Sequence, residues 1–313
     1  MSFALSAFNK RGWIWILIAL FLFSLPLFMN QMYLQILFSI AVWAIIALGY
    51  NMILSKCGLL SLGHTFFYAS GAYLAAYAQL FNVHLIPSIL MAGLGTALIA
   101  LPLGLITLKL RGFYFAMATL GLAEIAHLAI RAFVLFGGDV GIWLPFNYSI
   151  EMLYTVAMAA FLVTLFICYV IENSKFGFKI KIIQMDEEAA KSIGLNTVRY
   201  KLYTYLFSTF LAGIAGGLVV IEQTVLVPSA FFSVSFKMIM ATLIGGLGAI
   251  PGQVIGAAFI TLTEAIFAMY ITDGAFIIFG LLLIAVILFF PGGIYGGIYR
   301  FWLSYSLRKR KKA

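Results

Sequence analysis

Ten long apolar stretches follow one another in this sequence, at about 13–29, 32–54, 59–81, 85–108, 113–135, 150–171, 202–222, 234–250, 253–271 and 274–290. Most approach the roughly 20 residues that an α-helix needs to cross a bilayer. No single aqueous core could hide them all. Charged residues make up only 9% of the chain, against about 25% in soluble domains. Lipid is therefore the solvent. The fold class is an all-α integral membrane protein, a polytopic bundle of about 8–10 transmembrane helices. A membrane β-barrel would show alternating segments of about ten residues, and these runs are longer. The stretches 59–81 and 234–271 are rich in Gly, Ser and Thr. They read as broken or re-entrant helices, which are tolerated where they face protein or water.

The basic residues flank these runs, so the net charge of +9 sets topology and is no sign of nucleic-acid binding. Lys10 and Arg11 precede the first run, which reads as a retained membrane helix because it is longer than a signal-peptide core. Lys175, Lys179, Lys181, Lys191, Arg199 and Lys201 crowd a loop at about 172–201. Arg308 to Lys312 fill a basic tail at about 300–313. The positive-inside rule puts both termini and this loop in the cytoplasm. Lys237 alone falls near an outer end. The expected organisation is one transmembrane domain over 1–313, with short outer loops near 136–149 and 222–233. Cys57 and Cys168 lack metal spacing and read as small apolar fillers.

The cytoplasmic loop holds the sequence "QMDEEAAKSIGLN" at 184–196. Asp186 suits an N-cap, and Glu187 and Glu188 suit the positive end of a helix dipole. Gly194 fits the left-handed position that closes many helices. Between them Ala189 and Ile193, four apart, form a small apolar face. A helix of about two turns is not stable alone. It docks either on its own chain's cytoplasmic surface or on a separate cytoplasmic protein.

Within the spans, small residues such as Gly58, Ser61, Gly63, Ser70, Gly71 and Ala75 permit close helix approach or leave backbone open along a polar path. Gly245, Gly246, Gly248, Pro251, Gly252 and Gly256 would break a helix near the cytoplasmic side. The two glycine-rich segments, 58–77 and 245–260, could mark corresponding places in two internal halves. Glu124, His127 and Arg131 share one helix face, and read as a polar surface by the path or as a structural network. His64 lines a helix break or is a satisfied interior histidine. Glu264 sits beside Thr261 and Thr263 and could face the path. Candidate path residues are therefore Ser61, Gly63, His64, Glu124, His127, Gly245, Gly246 and Glu264. Three scattered histidines suggest no metal site. No cofactor or catalytic constellation stands out, and no G-x-x-x-x-G-K-[ST] phosphate loop is present.

Glu188, Ala189 and Ala190, three further residues and then Gly194 resemble the EAA signature of bacterial ATP-binding-cassette importer membrane subunits. "GLLSLGHTFFYASGAYLAAY" (58–77), "KLRGFYFAMATLGLAEI" (109–125), "YKLYTYLFSTFLAGIAGGL" (200–218) and "IGGLGAIPGQVIGAAFI" (244–260) are similar to segments of branched-chain amino acid permeases. The match follows the kind with a Leu-Arg-Gly-x-Tyr-Phe-Ala segment, one of two homologous permeases that pair in that family. The resemblance covers most of 35–295. It implies a coupling helix of Asp186, Glu187, Glu188, Ala189, Ala190, Ile193 and Gly194 seated in an ATPase groove. It implies as partners two cytoplasmic ATP-binding-cassette ATPase subunits, a second homologous permease and an extracytoplasmic substrate-binding protein, in a bacterial inner membrane. The cargo would be branched-chain amino acids or related small solutes such as urea or amides. Two other readings are an ion-gradient-driven secondary transporter using Glu124 or Glu264, and a membrane scaffold without transport. An ion-driven carrier has no need of an ATPase-docking helix, and broken spans do not suit a scaffold.

Overall fold

The structure is a computed structural model and describes residues 20–110, 112–132, 137–138, 141–144, 148–223, 225–226, 232–270, 288 and 292–298. Its helices are α1 (Gln31–Cys57), α2 (His64–Leu80), α3 (Leu85–Thr107), α4 (Phe113–Ala132), α5 (Ile150–Glu172), α6 (Lys175–Met185), α7 (Glu187–Ser192), α8 (Thr197–Gln223), α9 (Phe232–Gly245) and α10 (Ile250–Tyr270). Six of them, α1, α3, α4, α5, α8 and α10, are long and apolar enough to cross a membrane. With the shorter apolar helix α9, seven apolar helices stand among the described residues. The chain is thus an all-α polytopic membrane protein. All of the run at 274–290 but residue 288, the basic tail and most of 13–29 lie outside the described residues.

α1 and α8 are the centre of the bundle. Both are buried over most of their length, whereas α4 buries only Phe115, Ala116 and Thr119. α2 and α3 pack against α8 through small residues. A Cβ on Gly71 would meet the Gly213 carbonyl oxygen at 2.3 Å, and one on Gly216 would meet that of Tyr68 at 2.0 Å. Such backbone contact is how helices associate in lipid, where burying apolar surface gives no drive. α3 carries Pro102 inside its helix, yet runs on to Thr107.

Several boundaries differ from the sequence expectation. Helix α2 begins at His64 rather than near 59, and 234–271 divides into α9 and α10. The polar loop at about 172–201 holds two helices. α6 forms because Ile180 and Ile183 bury one side while Lys175, Lys179 and Lys181 occupy others. Helix α8 starts at Thr197, inside the stretch expected to be loop. The loops expected on the outer side meet in an antiparallel ladder of β1 (Ile142–Trp143) with β2 (Val225–Leu226), Ile142 opposite Leu226. Two strands of two residues have no hydrophobic period for a sequence to display. Cys57 and Cys168 are free and buried, as fillers should be.

Candidate functional site

Helix α7 has the ends its sequence requires. Asp186 Oδ1 accepts from the backbone N–H of Glu188 at 2.9 Å and of Ala189 at 3.0 Å. Two of the four N–H groups that every helix start leaves open are thereby satisfied. At the other end Gly194 has φ +81°. Its N–H donates to the Lys191 carbonyl at 2.9 Å, and Leu195 N–H donates to that of Ala190 at 3.0 Å. This pair of bonds is the Schellman closure, for which glycine bears no Cβ penalty.

The helix has two unlike faces. Inward, Ala190 is fully buried and Glu187 bridges to α8: its Oε1 accepts from Thr197 Oγ1 at 3.1 Å, its Oε2 from Lys201 Nζ at 2.6 Å. Burial alone would raise the Glu187 pKa. The hydrogen bond and charge of Lys201, helped by Thr197 and Lys191, outweigh it and hold the carboxyl below its ordinary value. Outward, Ala189 and Glu188 are exposed, and Ile193 is 67% exposed. So α7 does lie on its own chain, but only with one side. The Ala189–Ile193 face predicted from the spacing points away.

The path candidates fall in three places. The first gathers around the C-terminal third of α1. After Gly58, with φ +66°, the chain turns back into the bundle without helical bonding until His64. Backbone groups there need partners, and three helices supply them. Tyr50 Oη donates to the Ser61 carbonyl at 2.8 Å, Leu62 N–H donates to Thr119 Oγ1 at 3.2 Å, and Ser235 Oγ donates to the Leu62 carbonyl at 3.0 Å. Tyr50 lies seven residues before Cys57, about 10 Å along the helix. α2 therefore starts inside the bundle, level with Tyr50. Gly63 packs so closely that a Cβ would meet the Thr119 carbonyl oxygen at 2.1 Å. His64 is buried, with Nε2 2.8 Å from Ser208 Oγ and the Tyr50 and Phe67 rings edge-on to its own. Its Nδ1 and Ser61 Oγ have no hydrogen-bond partner.

The second glycine-rich segment breaks beside the first. Gly246 has φ +110°, and its carbonyl accepts from Gln253 Nε2 at 2.9 Å. Gly248 N–H donates to Asn51 Oδ1 at 2.9 Å. A Cβ on Gly245 would strike the Gly252 carbonyl oxygen at 2.1 Å. Adjacent residues of α1, Tyr50 and Asn51, thus hold the two breaks. Sequence reasoning missed both, although polar side chains in an apolar span were the available signal. Lys56, which donates to Gly248 O at 3.5 Å, also pairs with Glu172 of α5.

The other candidates lie elsewhere. Glu264 pairs with Lys237 across α9 and α10, and the ammonium stands 5.7 Å from the Trp43 ring centroid. Lys237, the basic residue expected near an outer end, thus has a carboxylate partner. Glu124 and His127 lie 3.8 Å apart on the C-terminal half of α4, where Glu124 is exposed on the surface of the bundle. They do not join the His64 cluster. Among the described residues no group of His, Cys, Asp and Glu could hold a metal.

The chain thus combines helices broken inside a bundle with a short capped helix on its surface. Residues 32–289 match the family described as branched-chain amino acid transport system / permease component. The chain belongs to that family. It is 26% identical to the high-affinity branched-chain amino acid transport system permease protein LivM of Salmonella typhimurium, over 81% of this chain and 67% of the relative. It is 25% identical to LivH of the same organism, over 81% of this chain and 91% of the relative. BraD of Pseudomonas aeruginosa is 24% identical over the same shares, 81% and 91%. The chain is a LivM-like, non-enzymatic, multi-pass permease component of the ATP-binding-cassette kind, not an ion-driven carrier.

Proposed function

We propose that this chain, as one domain over 1–313, forms half of the membrane path of an importer for branched-chain amino acids. Its relatives carry that cargo in their names, and related small solutes such as urea or amides are the remaining alternative. Two separate cytoplasmic ATPase subunits would supply the work, a second homologous permease would complete the path, and an extracytoplasmic binding protein would deliver the substrate. The setting is a bacterial inner membrane with both termini in the cytoplasm.

The observation that carries this reading is the two-faced α7. It is held at both ends, pinned on its inner side, and leaves Glu188, Ala189 and Ile193 open to a partner. Asp186 and Gly194 set its ends, and Ala190 and Glu187 seat it. ATP-driven closure of the ATPase pair moves α7 and rocks the bundle between outward and inward states. The coupling need supply only the free-energy difference between those states, typically about 1–3 kcal/mol. Ser61, Gly63, His64, Gly245 and Gly246 border the path where both breaks meet α1. Glu264 serves it at another level, and Glu124 and His127, on the outward side of α4, would border it only where the second permease packs against that side.

Leucine uptake into membrane vesicles tests the assignment. Uptake should require ATP and the binding protein, and should persist with an uncoupler present. Uptake that stops with the uncoupler but survives ATP depletion would reject it.

A further inference from the structure

Glu187 is the second residue of the 186–194 motif, and its carboxylate makes no use of the face offered to a partner. Both of its oxygens are spent on α8, on Thr197 and Lys201. Lys201 is only 7% exposed and Thr197 only 2%. A buried ammonium needs a partner, because removing one member of such a pair leaves an uncompensated charge. Lys191 also approaches Glu187 Oε1, at 3.5 Å, from the solvent side. The contact is therefore a fixed attachment between two elements, not a surface ion pair that forms and breaks freely.

What lies beyond it gives the attachment a purpose. Lys201 and Thr204 are the charged and hydrogen-bonding neighbours of Cys57, at the end of α1. One turn further along α8, the Tyr205 ring packs on Phe67 at 5.5 Å and on His64 at 6.3 Å. One more turn brings Ser208 to His64. From α7, a single rigid helix thus reaches the first residue of the broken α2.

We propose that the Glu187–Lys201 pair is the joint that transmits movement of α7 into α8 and on to the break at His64. Glu187 and Lys201 are then positioning residues: they bind neither ATPase nor substrate. This rests on α7 being the coupling helix. It differs from that reading in separating two duties within the seven residues 187–193: the outer face receives the ATPase, and the inner face moves the bundle.

The test uses the complex purified with its ATPase subunits. Spin labels are placed at Ser192 on α7 and at Tyr203 on α8, each paired with one at Phe166 on α5. All three sites are exposed. In the wild-type background, trapping with ATP and vanadate should shift both distances by about 1–2 Å or more. Glu187→Gln with Lys201→Met removes both charges and leaves no lone ion to unfold the site. In that variant the Ser192 distance should still shift and the Tyr203 distance should not. The reversed pair, Glu187→Lys with Lys201→Glu, should restore the second shift. A Tyr203 shift that persists in the Gln/Met variant would overturn the proposal, as would a reversed pair that restores nothing. If the Ser192 distance fails to move even in the wild-type background, the coupling-helix reading itself falls, and the joint with it.

Discussion

Two residues of this chain are almost equally exposed and sit in opposite settings. Leu98 of α3 is 70% exposed, and Ile193 beyond the end of α7 is 67% exposed. Around Leu98, the outward positions of α3 include Leu94, Leu105 and Ile106, and the helix has no charged residue. Such a surface is solvated by lipid. On the same short segment as Ile193, Glu188 and Lys191 are exposed. Lipid would not solvate those charges, and water gains nothing from an isoleucine. An apolar residue framed by charges on a rigid, capped helix suits a protein groove. Exposure alone does not define a site; the neighbours that share it do.

The largest effect that should separate the two settings comes from adding a charge. Leu98→Arg puts a cation at the middle of a lipid-facing helix, at about 2.5–3.5 kcal/mol. Membrane levels should collapse on an immunoblot. Ile193→Arg should leave them unchanged. Equal loss in both would erase the distinction between the faces.

Gly194→Val acts next. No atom lies within 4 Å of the added Cβ, so the penalty is the left-handed backbone alone, about 1–2 kcal/mol. The protein should insert normally while co-purification of the ATPase subunits drops about tenfold. Gly194→Asn should lose much less, since asparagine tolerates this conformation. An identical loss with both would mean that the closure of α7 is not what matters.

A smaller effect is expected from Glu188→Lys, which places a positive charge at the helix N-terminus, worth about 0.3–1 kcal/mol. Substrate-stimulated ATP hydrolysis should fall by a few-fold with membrane levels intact. The smallest change concerns acid. The Glu187 carboxyl is held below its ordinary pKa, so its contribution is complete at neutral pH. It is lost only as the pH falls through that lowered value, beneath the ordinary carboxylate range. A spin label at Ser192 should therefore keep its mobility from neutral pH down to mild acid and loosen below it. Glu187→Gln should be loosened throughout. Loosening near pH 6 would point to another group.

What the sequence revealed and what it hid follow one physical line. Local features were legible. Asp186 and Gly194 act within a few residues, so their capping roles can be read from spacing. The apolar spans follow from length and composition, and the breaks near 58–63 and 246–249 follow from glycine. Relations between helices were hidden, because nothing in the chain states how one helix is rotated against another. Hence the Glu187–Lys201, Lys237–Glu264 and Lys56–Glu172 pairs came only with the fold. The same holds for Tyr50 and Asn51, whose side chains gather two distant breaks. Glu124 and His127 show both sides of the rule: their pairing at i, i+3 was legible, and the outward direction of their helix was not.

The central claim is that the outer face of α7 is covered by an ATPase. A photoreactive benzoylphenylalanine at Ile193 tests it directly, with the same group at Leu98 as the equally exposed control. On illumination of intact membranes, Ile193 should cross-link to a protein that carries a nucleotide-binding P-loop, identified by mass spectrometry, while Leu98 should yield no such product. Cross-linking of the ATPase from neither position, or equally from both, would contradict the account.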